Sequence, residues 1–307
     1  MASPVELRVV DPGPEAEACL DRAEEEIRTV ELHCSRFDPT SALSEANAAP
    51  DEWHEVPDVL ADVVLEAERA HRETGGLFDP RVLDTLLAMG YDRSLPFADR
   101  DLTTTTRSSA PRRPAPLVEP WRPALLQHDT TSLHLGGRPI DLGGIGKGLA
   151  VRWAAIEMAE SGAAWMVDAG GDEFLGGAGP SGRGWQVGVE DPLDNGTLVL
   201  VLAVRDAACA TSSTTLRRWT NDGVPVHHLV DPRSGGPGGA GLAAVTVVGP
   251  DPAWAEVWTK ALFLTGADRI GAEAEDHRLA ASWVTTEGRV GTSRAMDPLV
   301  VWRRDRG

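Results

Sequence analysis

Two hydrophobic periodicities follow one another along the chain. Apolar residues first recur every three to four positions, as in helices with one buried face, and from about residue 133 short apolar runs of strand length prevail. The predicted helices cover about 15–34, 57–74, 146–161 and 253–264, with a short one inside 77–89. The predicted strands cover 5–9, 133–135, 164–168, 185–190, 198–204, 243–248, 281–285 and 299–302. This pattern predicts an α+β fold with mixed sheets and flanking helices.

One segment, at about 97–124, departs from both periodicities. It contains a run of four threonines, two serines and five prolines, with few apolar positions at regular spacing. We therefore predict an exposed irregular insertion there. No repeat of fixed period is present, and the whole chain, 1–307, is predicted to form a single domain.

The composition of the chain argues against several classes of function. The net charge is −18, from 29 basic and 47 acidic residues, so nucleic acid and anionic membranes are not expected partners. The longest apolar run, 198–204, is far shorter than the roughly 20 residues that cross a bilayer. Cys19, Cys34 and Cys209 form no CxxC pair, and the N-terminus lacks the basic and apolar parts of a signal peptide. We therefore predict a cytoplasmic protein.

The segment 140–148 is the strongest candidate for chemistry, and we predict that it is a strand-to-helix turn. Three glycines precede the helix, and Lys147 follows them. Glycines allow close approach of the backbone, while helical N–H groups and the lysine attract an anion such as a phosphate. Asp141 could accept hydrogen bonds from a ligand. The alternative is a glycine-rich turn with a solvated lysine, since neither the Walker nor the GxGxxG spacing is present.

Three weaker motifs follow. Gly170 and Gly171 come after a predicted strand and indicate a close backbone approach or an ordinary tight turn. His228 precedes an Asp-Pro turn and could contact a phosphate or transfer a proton, although a lone histidine is more often structural. The Ala-Thr-Ser-Ser run at 210–213 has no GxSxG context, so we do not predict a hydrolase triad.

A single face of the last predicted helix carries Glu256, Thr259 and Lys260, at i, i+3 and i+4. A carboxylate beside a hydroxyl suits a hard divalent cation. Spacing alone nevertheless favours an ordinary Glu–Lys pair on the surface.

Taken in order, these motifs resemble the FAD:protein FMN transferase family of the ApbE type. The resemblance extends over about residues 1–300 and rests on 35–37, 41–47, 76–80, 140–148, 168–172, 210–212, 228–235, 245–247 and 255–266. It implies an ApbE-like fold with FAD in a cleft between two lobes. It also implies an enzyme that, with Mg²⁺, transfers FMN from FAD to a threonine or serine hydroxyl of an acceptor protein and releases AMP.

The same resemblance implies roles for individual residues, including an aromatic ring at Phe37 beside the flavin or adenine. The implied catalytic residues are Lys147, His228 and Glu256. The implied metal ligands are Gly144, Glu256 and Thr259. The implied FAD-binding residues are Phe37, Phe78, Asp79, Pro80, Asp141, Gly144, Lys147, Gly171, Thr211, Ser212, His228 and Lys260.

The chain departs from the family pattern in several motifs. The family's Asp-Pro-Thr is Asp-Pro-Arg at 79–81, its Thr-Ser-Gly is Thr-Ser-Ser at 211–213, and Arg152 replaces an acidic residue. The usual metal-binding Asp and Thr, four positions apart, are Glu256 and Lys260 here. An ammonium group cannot ligate Mg²⁺ and would repel it.

Three alternatives follow from Lys260. Thr259 could supply the missing ligand, or Lys260 could replace the charge of the metal and hold the pyrophosphate directly. In the third alternative the protein binds or carries FAD without transferring FMN. A further alternative is an FAD pyrophosphatase, in which water replaces the protein hydroxyl and the products are FMN and AMP.

Overall fold

The computed structural model describes residues 4–95, 97, 102–104, 119–194, 196–215 and 217–304. The chain divides into two compact units. Unit 1 comprises Met1–Arg28, Lys147–Ser213 and Gly239–Gly307, and unit 2 comprises Thr29–Gly146 and Thr214–Gly238. Both units contain helices and strands, and the predicted α+β class is confirmed. The assignment of all 307 residues to one domain stays a prediction.

Helices predominate up to residue 160, and strands follow one another from 162 to 249. The α-helices of the described residues are α1 (Ala16–Cys34), α2 (Ala42–Ala48), α3 (Asp58–Glu73), α4 (Leu83–Ala88), α5 (Gly146–Glu157), α6 (Pro252–Thr265) and α7 (Ile270–Asp276). The strands are β1 (Val5–Pro12), β2 (Trp53–Glu55), β3 (Thr103–Thr104), β4 (Ala124–Gln127), β5 (Thr131–His134), β6 (Gly162–Ala169), β7 (Asp172–Gly177), β8 (Trp185–Glu190), β9 (Leu198–Val204), β10 (Ala207–Ser213), β11 (Arg218–Asn221), β12 (Val224–His227), β13 (Val230–Asp231), β14 (Gly236–Pro237), β15 (Leu242–Gly249), β16 (Ala280–Thr285), β17 (Val290–Thr292) and β18 (Val300–Arg303).

Unit 1 is built on an antiparallel seven-stranded sheet of order β1-β6-β7-β10-β15-β16-β17. Helix α6 packs against β10 and β15 on one face of this sheet. On the other face, Leu175, Cys209 and Val248 form one buried cluster with residues of a second sheet, β18-β9-β8. Because side chains alternate along a strand, β10 and β15 contribute to both layers.

Helix α6 is apolar around most of its circumference. Asp251 caps its N-terminus by accepting a hydrogen bond from Trp254 N at 3.1 Å, Pro252 occupies the first turn, and Gly266 ends the helix with a φ of +79°. Ten of its side chains are buried, including those of Glu256 and Thr259. The burial of this helix therefore brings a carboxylate and a hydroxyl into the interior of unit 1.

Unit 2 combines helices α2, α3 and α4 with small sheets, of order β2-β5-β4, β12-β11-β3 and β13-β14. A buried cluster that includes Leu86, Tyr91, Trp219 and Val226 packs α4 against the strands β11 and β12. Trp219 Nε1 also donates a hydrogen bond to Met89 O at 2.6 Å. An aromatic layer thus joins the helical part of unit 2 to its strands.

The predicted insertion at 97–124 falls largely outside the described residues. Of its described part, β3 pairs in parallel with β11, so the expectation of irregular structure was wrong at Thr103–Thr104. Backbone pairing with a distant strand, rather than an apolar pattern, orders this short stretch. Among the described residues, we find no helix with the length and apolar character needed to cross a bilayer.

Candidate active site

The loop at 140–145, which leads to α5, is held inside unit 2 by backbone contacts. Ile140 N donates to Asn47 Oδ1 at 2.7 Å, and Asn47 Nδ2 donates to Ile140 O at 2.9 Å. Asp141 N donates to Pro80 O at 2.7 Å. The backbone of the predicted ligand loop is therefore fixed by its own unit.

The expectation of a strand directly before this loop was wrong. Strand β5 ends at His134, and Gly136 and Gly137 follow with φ values of +82° and +85°. This left-handed backbone turns the chain out of the extended conformation, which ends the strand before Asp141. The helix after the loop begins as predicted, at Gly146.

Asp141 is bound through both carboxylate oxygens. Oδ1 accepts from Gly143 N at 2.7 Å, and Oδ2 accepts from Arg36 Nε at 3.1 Å. The Arg36 guanidinium lies 4.1 Å from the ring centroid of Phe37 and 4.5 Å from that of Tyr91, and it donates to Tyr91 O at 3.0 Å. Phe37 stays 37% exposed. Unit 2 therefore joins two predicted site residues, Phe37 and Asp141, through Arg36, which the sequence analysis did not select.

The predicted loop Phe78-Asp79-Pro80 is buried in unit 2. Asp79 Oδ1 and Oδ2 accept from Arg81 Nε and Nη2 at 3.0 and 2.7 Å. His71 Nδ1 lies 3.5 Å from Asp79 Oδ2. Arg81, which stands where the family has threonine, thus neutralises a buried carboxylate.

His228 follows β12 and is half-buried. Its backbone N donates to Arg217 O at 3.3 Å, and its Nδ1 lies 3.3 Å from the same oxygen. Burial lowers the pKa of the neighbouring His227 ring. The backbone of Arg217 thus fixes the position of the His228 ring.

Unit 1 contains a largely buried group of charges. Lys147 Nζ lies 3.0 Å from Glu256 Oε1 and also forms an ion pair with Asp172. Lys260 Nζ lies 3.2 Å from the same Glu256 oxygen. Gly148 N donates to Glu256 Oε2 at 2.8 Å. Lys147 is therefore ion-paired, so the alternative of a solvated lysine was wrong; we refer to Lys147, Asp172, Glu256 and Lys260 as the lysine–carboxylate cluster.

Glu256 is held in its ionised form. Burial alone would raise the pKa of this carboxyl, but the ammonium groups of Lys147 and Lys260 and the N–H of Gly148 lower its pKa to about 2. Its relative exposure is 0%, so the preference for a surface Glu–Lys pair was wrong. Spacing places both residues on one helical face, whereas packing of α6 decides that this face is internal.

Two predicted hydroxyls lie on opposite faces of β10. Ser212 Oγ is 2.7 Å from Thr259 Oγ1 of α6, and both groups are buried. Thr211 points to the other face, where its Oγ1 is 2.9 Å from Thr246 Oγ1. Only Ser212 therefore shares the α6 side of the sheet with the lysine–carboxylate cluster.

Gly171 lies in the turn between β6 and β7. Its φ is +91°, and its N donates to Asp168 Oδ1 at 2.7 Å. Asp168 pairs in register with Glu173 on the adjacent strand. Burial and the charge of Asp168 raise the pKa of Glu173 to about 7. The turn is thus bordered by two carboxylates, and the sequence analysis assigned no site role to either.

The sequence profile of the ApbE family matches residues 1–283, nearly the whole chain. The chain belongs to the ApbE family. The resemblance inferred from the order of the motifs is therefore confirmed.

The names of related proteins are consistent with this family. A Salmonella typhimurium protein named FAD:protein FMN transferase is 26% identical over 238 residues, covering 76% of this chain and 67% of that protein. A Treponema pallidum protein of the same name is 28% identical over 274 residues, covering 84% and 74%.

Solved ApbE structures share the fold. An ApbE protein of Thermotoga maritima superposes with a TM-score of 0.76 at 23% identity, over 99% of this chain and 96% of that one. Flavin transferase ApbE from Vibrio cholerae gives a TM-score of 0.76 at 23% identity, over 96% and 100%. The ApbE-like fold that the resemblance implied is confirmed.

The divalent cation implied by the resemblance does not fit the side chains of α6. Both oxygens of Glu256 already accept from N–H groups, and two ammonium groups adjoin them. Thr259 Oγ1 donates to Glu256 O at 2.7 Å and shares its other hydrogen bond with Ser212. Where the structure describes side chains, no group of three His, Cys, Asp or Glu residues could hold a metal ion. Gly144, the third implied ligand, belongs to unit 2.

Asp172 and Arg36 of this family member were not predicted as site residues, and each contacts predicted ones. Asp172 completes the lysine–carboxylate cluster, and Arg36 holds Asp141. Both lie inside stretches that carried the resemblance, at 168–172 and 35–37. In the sequence, both residues could be found through their position next to a predicted site residue. Arg152, which replaces an acidic residue, instead forms an ion pair with Asp251 at 2.7 Å.

Proposed function

We propose that this protein transfers FMN from FAD to a threonine or serine hydroxyl of an acceptor protein. The observation that carries the proposal is the geometry of Lys147, an ammonium group at the first turn of α5 held by the buried carboxylate of Glu256. A cation at a helix N-terminus suits the pyrophosphate of FAD. Relatives named FAD:protein FMN transferase support the same activity.

The proposed reaction is a phosphoryl substitution. The hydroxyl oxygen of the acceptor forms a bond to the phosphorus of the FMN moiety, while the bond from that phosphorus to the oxygen of the AMP phosphate breaks. AMP leaves with the electron pair, and the acceptor releases its proton. Lys147 lowers the barrier by stabilising charge on the phosphate oxygens, and His228 is the proposed acceptor for the proton.

In unit 1, we assign pyrophosphate contacts to Lys147 and Lys260, with Glu256 positioning both ammonium groups. Their partly exposed side chains and the buried Glu256 support this assignment. Gly171, Thr211 and Ser212 are the remaining proposed FAD contacts of this unit.

In unit 2, the proposed FAD contacts centre on Asp141 and the partly exposed ring of Phe37. Arg36 keeps Asp141 oriented as a hydrogen-bond acceptor. Phe78, Asp79, Pro80, Gly144 and His228 complete the proposal for this unit.

The test separates transfer from the alternatives. The protein is incubated with FAD and an acceptor peptide that contains one threonine, with and without Mg²⁺, and a peptide with valine at that position is the control. Covalent flavin on the threonine peptide alone supports transfer. Free FMN and AMP without labelled peptide would identify a pyrophosphatase, and unchanged FAD that co-elutes with the protein would identify a carrier.

A cytoplasmic location is also part of the proposal. Cys19, Cys34 and Cys209 are free and buried, and burial raises the pKa of Cys34 to about 12. The net charge of −18 disfavours nucleic acid and anionic membranes as partners. Fractionation of cells tests the location directly.

A further inference from the structure

Lysine is rare in this chain, and its two lysines meet at one atom. Of 29 basic residues only Lys147 and Lys260 are lysines. Both lie close to Glu256 Oε1, at 3.0 and 3.2 Å. A lysine ammonium is a compact point charge, unlike the broad planar guanidinium of arginine. The chain therefore uses its two compact cations at a single buried carboxylate.

Charge in the lysine–carboxylate cluster is balanced. Two carboxylates, Asp172 and Glu256, face two ammonium groups, Lys147 and Lys260. Without Lys260 the cluster would carry one negative charge in excess, which is the situation that a bound cation would correct. With Lys260 present, a divalent cation would meet a neutral cluster and two like charges.

Within the cluster, the positively charged side chains are more exposed than the negatively charged ones. The side chains of Lys147 and Lys260 are 14% and 17% exposed, whereas those of Glu256 and Asp172 are 0% and 4% exposed. A ligand that reaches the cluster therefore meets the cations first. This arrangement suits an anion such as a pyrophosphate, although the sum of the four charges is zero.

We infer that Lys260 stands in the place of a divalent cation in this cluster, so that the ammonium groups of Lys147 and Lys260 hold the pyrophosphate of FAD without a metal. The role toward FAD rests on the proposed function, whereas the replacement of the cation rests on the cluster itself. In the transfer step the ammonium groups stabilise the leaving AMP phosphate. The bonds formed and broken are those described above, and no further reactant is needed.

The contacts of Thr259 do not allow it to act as the missing metal ligand. Its hydroxyl donates to Glu256 O and meets Ser212 Oγ, both at 2.7 Å, and its relative exposure is 0%. It therefore cannot turn toward a cation without leaving buried polar groups unpaired. The geometry favours Lys260 over Thr259 as the replacement for the missing ligand.

The first experiment measures metal binding without FAD. Protein stripped of metal with EDTA is titrated with Mn²⁺ and followed by electron paramagnetic resonance. We expect no saturable site in the wild type and one saturable site in Lys260→Thr, because that change removes a cation and adds a hydroxyl. Saturable Mn²⁺ binding by the wild type, or its absence in a folded Lys260→Thr protein, would overturn the inference.

The second experiment measures FAD affinity in EDTA and in Mg²⁺. The wild-type Kd should be the same in both, whereas the Kd of Lys260→Thr should rise by about tenfold or more in EDTA and recover with Mg²⁺. Lys260→Arg keeps the charge and should stay independent of metal. Arg69→Thr, which breaks an exposed i,i+4 ion pair with Glu73 on α3, is the matched control and should change neither value.

The two experiments separate the inference from the proposed function. A protein that binds no FAD in either buffer would refute the proposed function, while Mn²⁺ titration would still decide the role of Lys260. Transfer that occurs in Mg²⁺ and stops in EDTA would leave the proposed function standing and would reject the inference.

Discussion

Lys147 Nζ lies 3.0 Å from Glu256 Oε1, although the two residues are 109 positions apart in the chain. The contact joins the first turn of α5 to the middle of α6 within unit 1. Glu256 is fully buried, in surroundings of low polarity. Loss of either ammonium partner would therefore leave its negative charge less well neutralised. Stability therefore depends on this pair, and the FAD binding that we propose would depend on it as well.

Lys147→Ala should weaken both FAD binding and the fold. It leaves two buried carboxylates with one ammonium group, and breaking a buried pair in this way costs about 3 kcal/mol. Urea unfolding measures the stability, and fluorescence titration with FAD measures the affinity. Arg22→Ala, which breaks a more exposed ion pair with Glu157, is the control. Unchanged affinity in a folded Lys147→Ala protein would contradict our placement of the pyrophosphate.

Arg36→Gln should reduce FAD affinity by releasing the Asp141 carboxylate and the stacked ring of Phe37. We expect a loss of about tenfold, corresponding to one charge-assisted hydrogen bond and one stacking contact. Arg36→Lys should recover only part of it, because an ammonium cannot stack as a planar group. Arg93→Gln, at an exposed ion pair in unit 2, should bind FAD like the wild type. Equal Kd values for all three variants would refute a role for Arg36.

Arg81→Thr restores the family's residue after Asp79-Pro80, and it should nevertheless destabilise this protein. The change removes both guanidinium hydrogen bonds from a buried carboxylate, for which we expect a loss of about 3 kcal/mol. Thermal unfolding measures the effect. The double variant Asp79→Asn/Arg81→Thr should recover part of the loss, since it removes the unpaired charge. A single variant as stable as the wild type would show that the pair contributes nothing.

Glu173→Gln should stabilise the protein at alkaline pH. The pKa of Glu173 is raised from 4.5 to about 7, so the folded state holds the proton more tightly than the unfolded state. Stability contributed by the protonated form is complete below pH 4.5 and is lost as the pH rises to 7. The variant should gain at most about 3 kcal/mol above pH 7 and little at pH 4.

Unfolding at pH 4 and pH 8 measures the difference. The exposed Glu190 on β8 supplies the control variant Glu190→Gln, which should show no gain that depends on pH. A gain of equal size at both pH values would mean that Glu173 does not titrate in this range.

Local patterns predicted much of the secondary structure. Strands β8 and β9 begin and end where their apolar runs do, and α3 and α6 differ from the prediction by one residue at each end. Strands β7 and β10 were missed, because glycine, alanine and serine interrupt their apolar pattern. Strand β7 pairs with the adjacent β6 and with β10, and β10 pairs with β7 and β15, so the assembled sheet orders both strands.

The sequence by itself determined the α+β class, the family and the position of the glycine turn before Lys147, because each depends on neighbouring residues or on the order of motifs. Only the tertiary structure decided that Glu256 is internal, that Asp172 joins it and that both lysines meet at one carboxylate oxygen. Helical spacing reports which residues share a face, whereas the surroundings of that face follow from packing against distant strands.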